Sequence, residues 1–309
     1  MISRTEIQDA GRRTAVHVRR TPVMALEEKA FGIDARTFFK LECLQHTGSF
    51  KPRGAFNCIL ASTIGETGVI AASGGNHGAA VAYAAQKLGH KAEIFVPTIT
   101  PKNKVERLRH YDANITITGD NYDQALAASR ERALQTGAVS IHAYDDARVL
   151  AGQGTLGMEF EEQVRGLDSV LIAVGGGGLI GGVASWYQDR VRVIAIEPER
   201  APTLHNALAA GQVVSVETGG VAADSLGARR VGELMFPIAQ KFVPHSLLVT
   251  DEQIVEAQRT LWRHFRIIAE PGGATALAAL LSGAYKPHAG ERVGVVLCGS
   301  NAELASFPV

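Results

Sequence analysis

One lysine and two glycine runs are the residues of this chain best placed to do chemistry. Gly74-Gly75-Asn76-His77-Gly78 follows an apolar stretch, Gly68 to Ser73, and precedes an alanine-rich one. Gly175-Gly176-Gly177-Gly178 follows a second apolar stretch, Ser169 to Val174, and Gly181-Gly182 lies one turn later. Consecutive glycines after a strand allow close backbone approach and turn several N–H groups toward one point. A helix N-terminus behind them completes an anion site. The tetraglycine run suits a phosphate, and Ser73 to Gly78 suits a carboxylate. The plainer alternative for both is a tight strand-to-helix turn. Neither run is a GxGxxG with an acidic partner, and no GK[ST] follows, so NAD and ATP lose ground while a phosphorylated cofactor remains.

The lysine lies in Thr47-Gly48-Ser49-Phe50-Lys51-Pro52-Arg53-Gly54-Ala55. Pro52 marks the first turn of a helix, which puts Lys51 at the helix start. Read alone, Lys51 is a surface charge. Beside a phosphate site it has another use: a neutral amine forms a Schiff base with an aldehyde, and pyridoxal phosphate joins an aldehyde to a phosphate. Burial near a helix N-terminus would depress its pKa, so that it also serves as a proton shuttle.

Short apolar strands alternating with helical stretches must position these groups. Strands are expected at 68–73, 92–97, 114–119, 169–175, 191–198 and 290–300. Helices are expected at 79–89, 101–113, 122–137, 155–166 and 177–189. A run of βα units predicts parallel sheets covered by helices. Continuous apolar strands fit sheets covered on both faces. The 309 residues suit two α/β domains sharing a cleft, with no sequence break to mark where one ends.

Composition excludes other classes. Lys+Arg and Asp+Glu are both 31, which disfavours binding to nucleic acid. No apolar run is long enough for a membrane span, and residues 1–22 do not read as a secretory signal. Cys43, Cys58 and Cys298 are too few and too scattered for a disulfide framework or a zinc cluster, and suit a reducing, cytoplasmic setting.

SFKPRGA, SGGNHG, the segment IHAYDDARVLAGQGTLGMEF, GGGGLIGG and VVLCGSN together resemble the fold-type II pyridoxal phosphate (PLP) enzymes. The branch they resemble is the serine/threonine dehydratases, which includes serine racemase, and the resemblance runs from about Thr21 to Asn301. It implies a two-domain α/β fold similar to the tryptophan synthase β chain. Residues 1–45 and 145–309 would form a large cofactor-binding domain, and 46–144 a small substrate-side domain. Lys51 resembles the lysine that holds the cofactor's aldehyde, and Phe50 the aromatic residue beside the ring. Asn76 matches the residue that bonds the cofactor's phenolic oxygen. Gly175, Gly176, Gly177 and Gly178 match the phosphate loop, closed by Leu179. Ser73, Gly74, Gly75, Asn76 and His77 match the loop around the substrate carboxylate. Cys298 stands where a side chain faces the pyridine nitrogen, a weak neutral partner that favours prompt loss of a β leaving group. On its own, Cys298 reads as a buried core thiol.

The implied reaction is dehydration and deamination of L-threonine or L-serine to 2-oxobutyrate or pyruvate plus ammonia, in a cytoplasmic homodimer. Racemase chemistry and dehydration of another 3-hydroxy amino acid are the alternatives within the family. A regulatory ligand-binding α/β protein is the alternative outside it. Racemases of this type resemble Ser-Ser-Gly-Asn-His; here the second serine is Gly74, which cannot carry a proton. A monovalent or divalent cation is compatible with the resemblance: Glu197 matches the start of a cation-site pattern and Ala201 could offer a carbonyl, but Thr203 stands where an acidic ligand is expected. His77 reads equally as a neutral core residue. Asp145, Asp146 and Arg148 read as a loop, and Gly152-Gln153-Gly154-Thr155 and Asp224 to Arg230 as further cleft segments.

Overall fold

The structure is a computed structural model and describes residues 1–308. Among the described residues ten strands form two sheets. The smaller contains β3 (Val69–Ala72), β4 (Ala92–Val96), β5 (Asn114–Ile117) and β6 (Val139–Ser140), in the order β5-β4-β3-β6, all parallel. The larger contains β1 (Val23–Ala25), β2 (Ala35–Lys40), β7 (Ser169–Ala173), β8 (Arg192–Pro198), β9 (His245–Val249) and β10 (Glu291–Val296). Its order is β1-β2-β10-β7-β8-β9. It is parallel except for β1, which runs antiparallel to β2 at the edge. An antiparallel edge on a parallel sheet is common, because an edge strand needs no crossover helix.

Every residue of β3 and of β7 is buried, as strands covered on both faces require. The covering helices are α1 (Arg4–Thr14), α2 (Lys51–Leu60), α3 (Asn76–Lys87), α4 (Lys102–Arg109), α5 (Tyr122–Thr136), α6 (Ala147–Gln163), α7 (Gly178–Tyr187), α8 (Thr203–Ala210), α9 (Ala223–Leu226), α10 (Phe236–Phe242), α11 (Asp251–Phe265) and α12 (Pro271–Ser282). No helix among the described residues is long and apolar enough to cross a membrane.

The fold class matches the sequence reading, and two local differences have clear causes. First, α6 begins at Ala147, eight residues before the expected start, and carries Gly152 and Gly154 in its interior. Glycine is a poor helix former, so the pattern there reads as a loop. The helix tolerates it because neighbours pass at backbone distance. A Cβ on Gly152 would meet the Arg53 carbonyl oxygen at 2.5 Å, and one on Gly154 would meet the Gly182 oxygen at 2.9 Å. These residues seat α6 against α2 and α7; they do not line the cleft. Second, Asp146 caps α6 by accepting from the Arg148 N–H at 2.8 Å, which spends that carboxylate locally.

α2 is shared between two packing environments. Ala55, Phe56, Cys58 and Ile59 join the core beneath the smaller sheet. On the other side, Arg53 is 1% exposed. It forks onto Glu42 with contacts of 2.8 and 2.7 Å and reaches Glu159 at 3.0 Å. Lys40, also buried, adds its ammonium to Glu159 and donates to the Thr21 carbonyl at 2.8 Å. Two cations and two carboxylates thus balance inside the protein, the arrangement that buried charge requires.

Candidate active site

Segments that follow the C-terminal ends of β2, β3, β6, β7 and β10 supply the candidate site residues, the position where open α/β sheets bind ligands. Lys51 is the first residue of α2. Just before it the chain turns sharply: Thr47 and Gly48 have φ of 58° and 71°. A β-branched residue in the left-handed region is strained. Contacts with the segment after β10 hold it there. The Thr47 carbonyl accepts from Asn301 Nδ2 at 2.8 Å, Ser49 bridges Gly299, and the Phe50 N–H donates to the Cys298 carbonyl at 3.1 Å. Lys51 Nζ donates to the Ala143 carbonyl at 2.9 Å and lies 5.1 Å from the centre of the Phe50 ring. Burial pulls its pKa down to about 8, against the opposing pull of Cys298 and Glu270. About a tenth of this amine is therefore neutral at pH 7, far more than of an ordinary lysine, as a nucleophilic lysine needs.

Tyr144, next to the carbonyl that holds Lys51, packs on the tetraglycine loop. A Cβ on Gly176 would strike its ring at 2.3 Å, and one on Gly178 would meet its Cα at 2.9 Å. Gly177 has φ of 87°, where a side chain would be strained. No side chain caps the start of α7, so its first N–H groups stay open to a ligand. Leu179 is buried behind them. The result is a glycine cradle one residue from the lysine's partner, which fits a phosphate-bearing aldehyde cofactor.

The Ser73–His77 loop opens α3, again with no side-chain cap. The Ser73 hydroxyl accepts from the Gly75 N–H at 3.1 Å. A Cβ on Gly74 would lie 2.7 Å from the Thr100 methyl, so the loop packs directly against the residues preceding α4. The His77 ring shares a 2.9 Å hydrogen bond with the Ile141 carbonyl, and burial drops its pKa to about 3. Its imidazole is a neutral core group, so only the loop backbone of this residue can serve a substrate.

Two groups were not anticipated. Glu270, ahead of α12, is buried, and desolvation pushes its carboxyl up to about 7. Asn76 Nδ2 donates to it at 2.6 Å, and Asn301 Nδ2 donates to Asn76 Oδ1 at 2.6 Å. Asn76 is thus gripped at both ends of its amide. The Cys298 thiol donates to the Gly272 carbonyl at 3.3 Å and is held far up in pKa by burial, so it is a neutral group at this site.

The cation fares differently. Glu197 is 0% exposed, and both its oxygens are already taken. They accept from Thr203 Oγ1 at 3.1 Å, Leu204 N at 2.7 Å, His205 N at 2.7 Å and Ser246 Oγ at 2.5 Å. The Ala201 carbonyl accepts from the Thr203 N–H at 3.0 Å. Two backbone N–H groups and the Ser246 hydroxyl occupy this carboxylate, with the Thr203 hydroxyl shared between it and the Gly175 carbonyl, so its surroundings do not fit a divalent cation. Among the described residues no group of three His, Cys, Asp or Glu side chains could hold a metal. Treating the holoenzyme with a chelator is expected to leave its melting temperature and turnover unchanged. A clear drop restored by magnesium or calcium would overturn this.

A family model for pyridoxal-phosphate dependent enzymes matches residues 14–299. The chain is similar to the L-threonine ammonia-lyase of Geobacter sulfurreducens, 36% identical over 315 residues that cover 100% of this chain and 78% of the relative. It is similar to the beta-hydroxyaspartate dehydratase of Paracoccus denitrificans, 34% identical over 304 residues covering 97% and 96% of the two chains. The structure of maize serine racemase matches with a TM-score of 0.94 at 34% identity, covering 99% of this chain and 95% of the other. With Lys51 set between a glycine cradle and a second glycine loop, the chain belongs to the pyridoxal-phosphate dependent enzymes, in the threonine dehydratase and serine racemase group.

Proposed function

We propose that the protein is an ammonia-lyase for 3-hydroxy amino acids, converting L-threonine to 2-oxobutyrate, or L-serine to pyruvate, plus ammonia. The observation that carries this reading is Lys51, a partly buried amine whose pKa desolvation lowers to about 8, in a site whose substrate loop has no side chain at Gly74. PLP, when bound, supplies an electron sink for the substrate's α-carbon. Lys51 would hold the cofactor's aldehyde, and the Gly175–Gly178 loop and the start of α7 its phosphate. Asn76, gripped by Glu270 and Asn301, would hold the ring's phenolic oxygen, while Cys298 would offer the ring nitrogen a neutral thiol. Backbone N–H groups of the Ser73–His77 loop would take the substrate carboxylate. The freed Lys51 amine would then remove the α-proton. The β-hydroxyl departs as water, and hydrolysis of the resulting imine returns one water and releases ammonia.

Racemisation is the second reading, motivated by the maize relative. A two-base racemase needs an acid on the face opposite the lysine, and Gly74 offers none. The dehydratase relative adds dicarboxylic 3-hydroxy amino acids to the candidate substrates. The reading carries with it a homodimer and a cytoplasmic setting; the latter suits three unpaired thiols. The test is purified holoenzyme with L-serine, L-threonine and their D-forms, followed by keto-acid and chiral detection. Keto acid is expected to exceed D-serine by about tenfold or more, since one-base chemistry lacks the second proton donor. D-serine at a comparable rate would overturn the lyase reading, as would the absence of keto acid from every 3-hydroxy amino acid.

A further inference from the structure

α4 carries two basic side chains one turn apart, Lys104 and Arg107, and so on one face of the helix. The residues before this helix touch the substrate loop, with Thr100 against Gly74. The segment facing it does too: the Asp224 carbonyl oxygen lies 3.9 Å from where a Cβ on Gly75 would stand. Lys104 is paired with the Asp224 carboxylate. Arg107 is not paired. Its Nη2 is buried and has no hydrogen-bond partner, and no ion pair is formed by this residue among the described residues. Because Lys104, one turn away, is tied to Asp224 and Asp224 lies beside Gly75, this face of α4 borders the substrate loop. Burial lowers its pKa, against the opposing pull of Tyr111, Glu270 and Asp224.

A buried guanidinium atom left without an acceptor is costly, and buried charges are ordinarily paired. An anion arriving with the substrate resolves the cost. In the proposed mechanism the cofactor phosphate goes to the tetraglycine loop and the α-carboxylate to the Ser73–His77 loop. The anion left over is one on the substrate's own side chain. Guanidinium geometry matches a carboxylate with two parallel N–H bonds. Lys104 neutralises Asp224, which would otherwise repel such a group.

We propose that Arg107 anchors a second carboxylate carried on the substrate's β-carbon, so that the site takes 3-hydroxyaspartate in preference to threonine or serine. Elimination of the hydroxyl as water and hydrolysis of the imine would release oxaloacetate and ammonia, with no oxidant or reductant needed. This assignment rests on the lyase reading above.

The test compares holoenzyme with Arg107→Met and Arg107→Lys on 3-hydroxyaspartate, L-threonine and L-serine. In the wild type, kcat/KM should be highest for 3-hydroxyaspartate. In Arg107→Met, the ratio of kcat/KM for 3-hydroxyaspartate to that for threonine should fall roughly 100-fold, mostly through KM. Arg107→Lys should recover part of it. An equal fall on all three substrates would overturn the assignment, as would turnover of threonine and serine without 3-hydroxyaspartate. A second readout needs no turnover: succinate should raise the melting temperature of the wild-type holoenzyme more than butyrate does, and Arg107→Met should abolish that difference. If no substrate is consumed, the lyase reading falls, and the succinate shift alone decides the role of Arg107.

Discussion

Lys51→Ala is expected to abolish the visible absorbance of lysine-bound cofactor and to lower keto-acid formation by at least about 10²–10⁴-fold, the range for loss of a positioned base. The side chain has one hydrogen bond, to the Ala143 carbonyl, and its burial works against the charged form. Its removal should therefore leave folding intact. The linkage has a definite sign. The amine has a pKa of about 8 when folded, against an ordinary value of 10.5. Between those values the unfolded chain binds more protons, so stability rises with pH there. Cofactor-free wild type should gain stability over that window, and cofactor-free Lys51→Ala should lack this share of the gain. Absorbance spectra, a keto-acid assay and melting curves at several pH values check all three points. A variant that keeps the band or the turnover would remove Lys51 from the mechanism.

Arg53→Met is expected to cost about 3–5 kcal/mol of stability, the penalty for stripping one partner from a buried ion pair. Arg53 is the cation that touches both Glu42 and Glu159, and Glu42 is entirely buried. Lys40 bonds Glu159 and cannot replace the fork on Glu42. Arg53→Met combined with Glu42→Leu should recover much of the loss, because a matched apolar pair avoids the stranded charge. Arg132→Ala, which breaks a half-exposed pair with Glu93, should cost below about 1 kcal/mol. Urea unfolding of the four proteins makes the comparison. Near-equal losses for Arg53→Met and Arg132→Ala would show that burial does not set the value of these pairs.

What the sequence reveals follows the range of the interactions. β3 and β7 are legible because a strand buried on both faces must be apolar throughout. The tetraglycine loop is legible because its requirement is local backbone shape, and Lys51 because Pro52 marks its helix start. α11 could have been read: Thr250 and Gln253 form a capping box ahead of an amphipathic run. Glu270 and Asn301 could not. They meet Asn76 across about two hundred residues of chain, through hydrogen bonds that leave no periodic trace. The glycines of α6 misled for the same reason, since what makes them welcome is the backbone of α2 and α7. Glu197 carries the right residue type for a cation site, yet the donors that saturate it come from the start of α8 and from β9.

The strand order also dictates when the site can come into being. All strands of the smaller sheet lie within residues 69–140, so that sheet can close as soon as this stretch leaves the ribosome. The larger sheet cannot. β10, its last strand in the chain, is inserted between β2 and β7 and pairs with both. Until residue 296 has been made, β2 and β7 lie on either side of a gap and present unpaired edges, the condition that favours aggregation. Cys298, Gly299 and Asn301 follow directly after. A nascent chain therefore carries Lys51 and both glycine loops through most of its synthesis without a competent site, and cofactor capture belongs to the final step of folding.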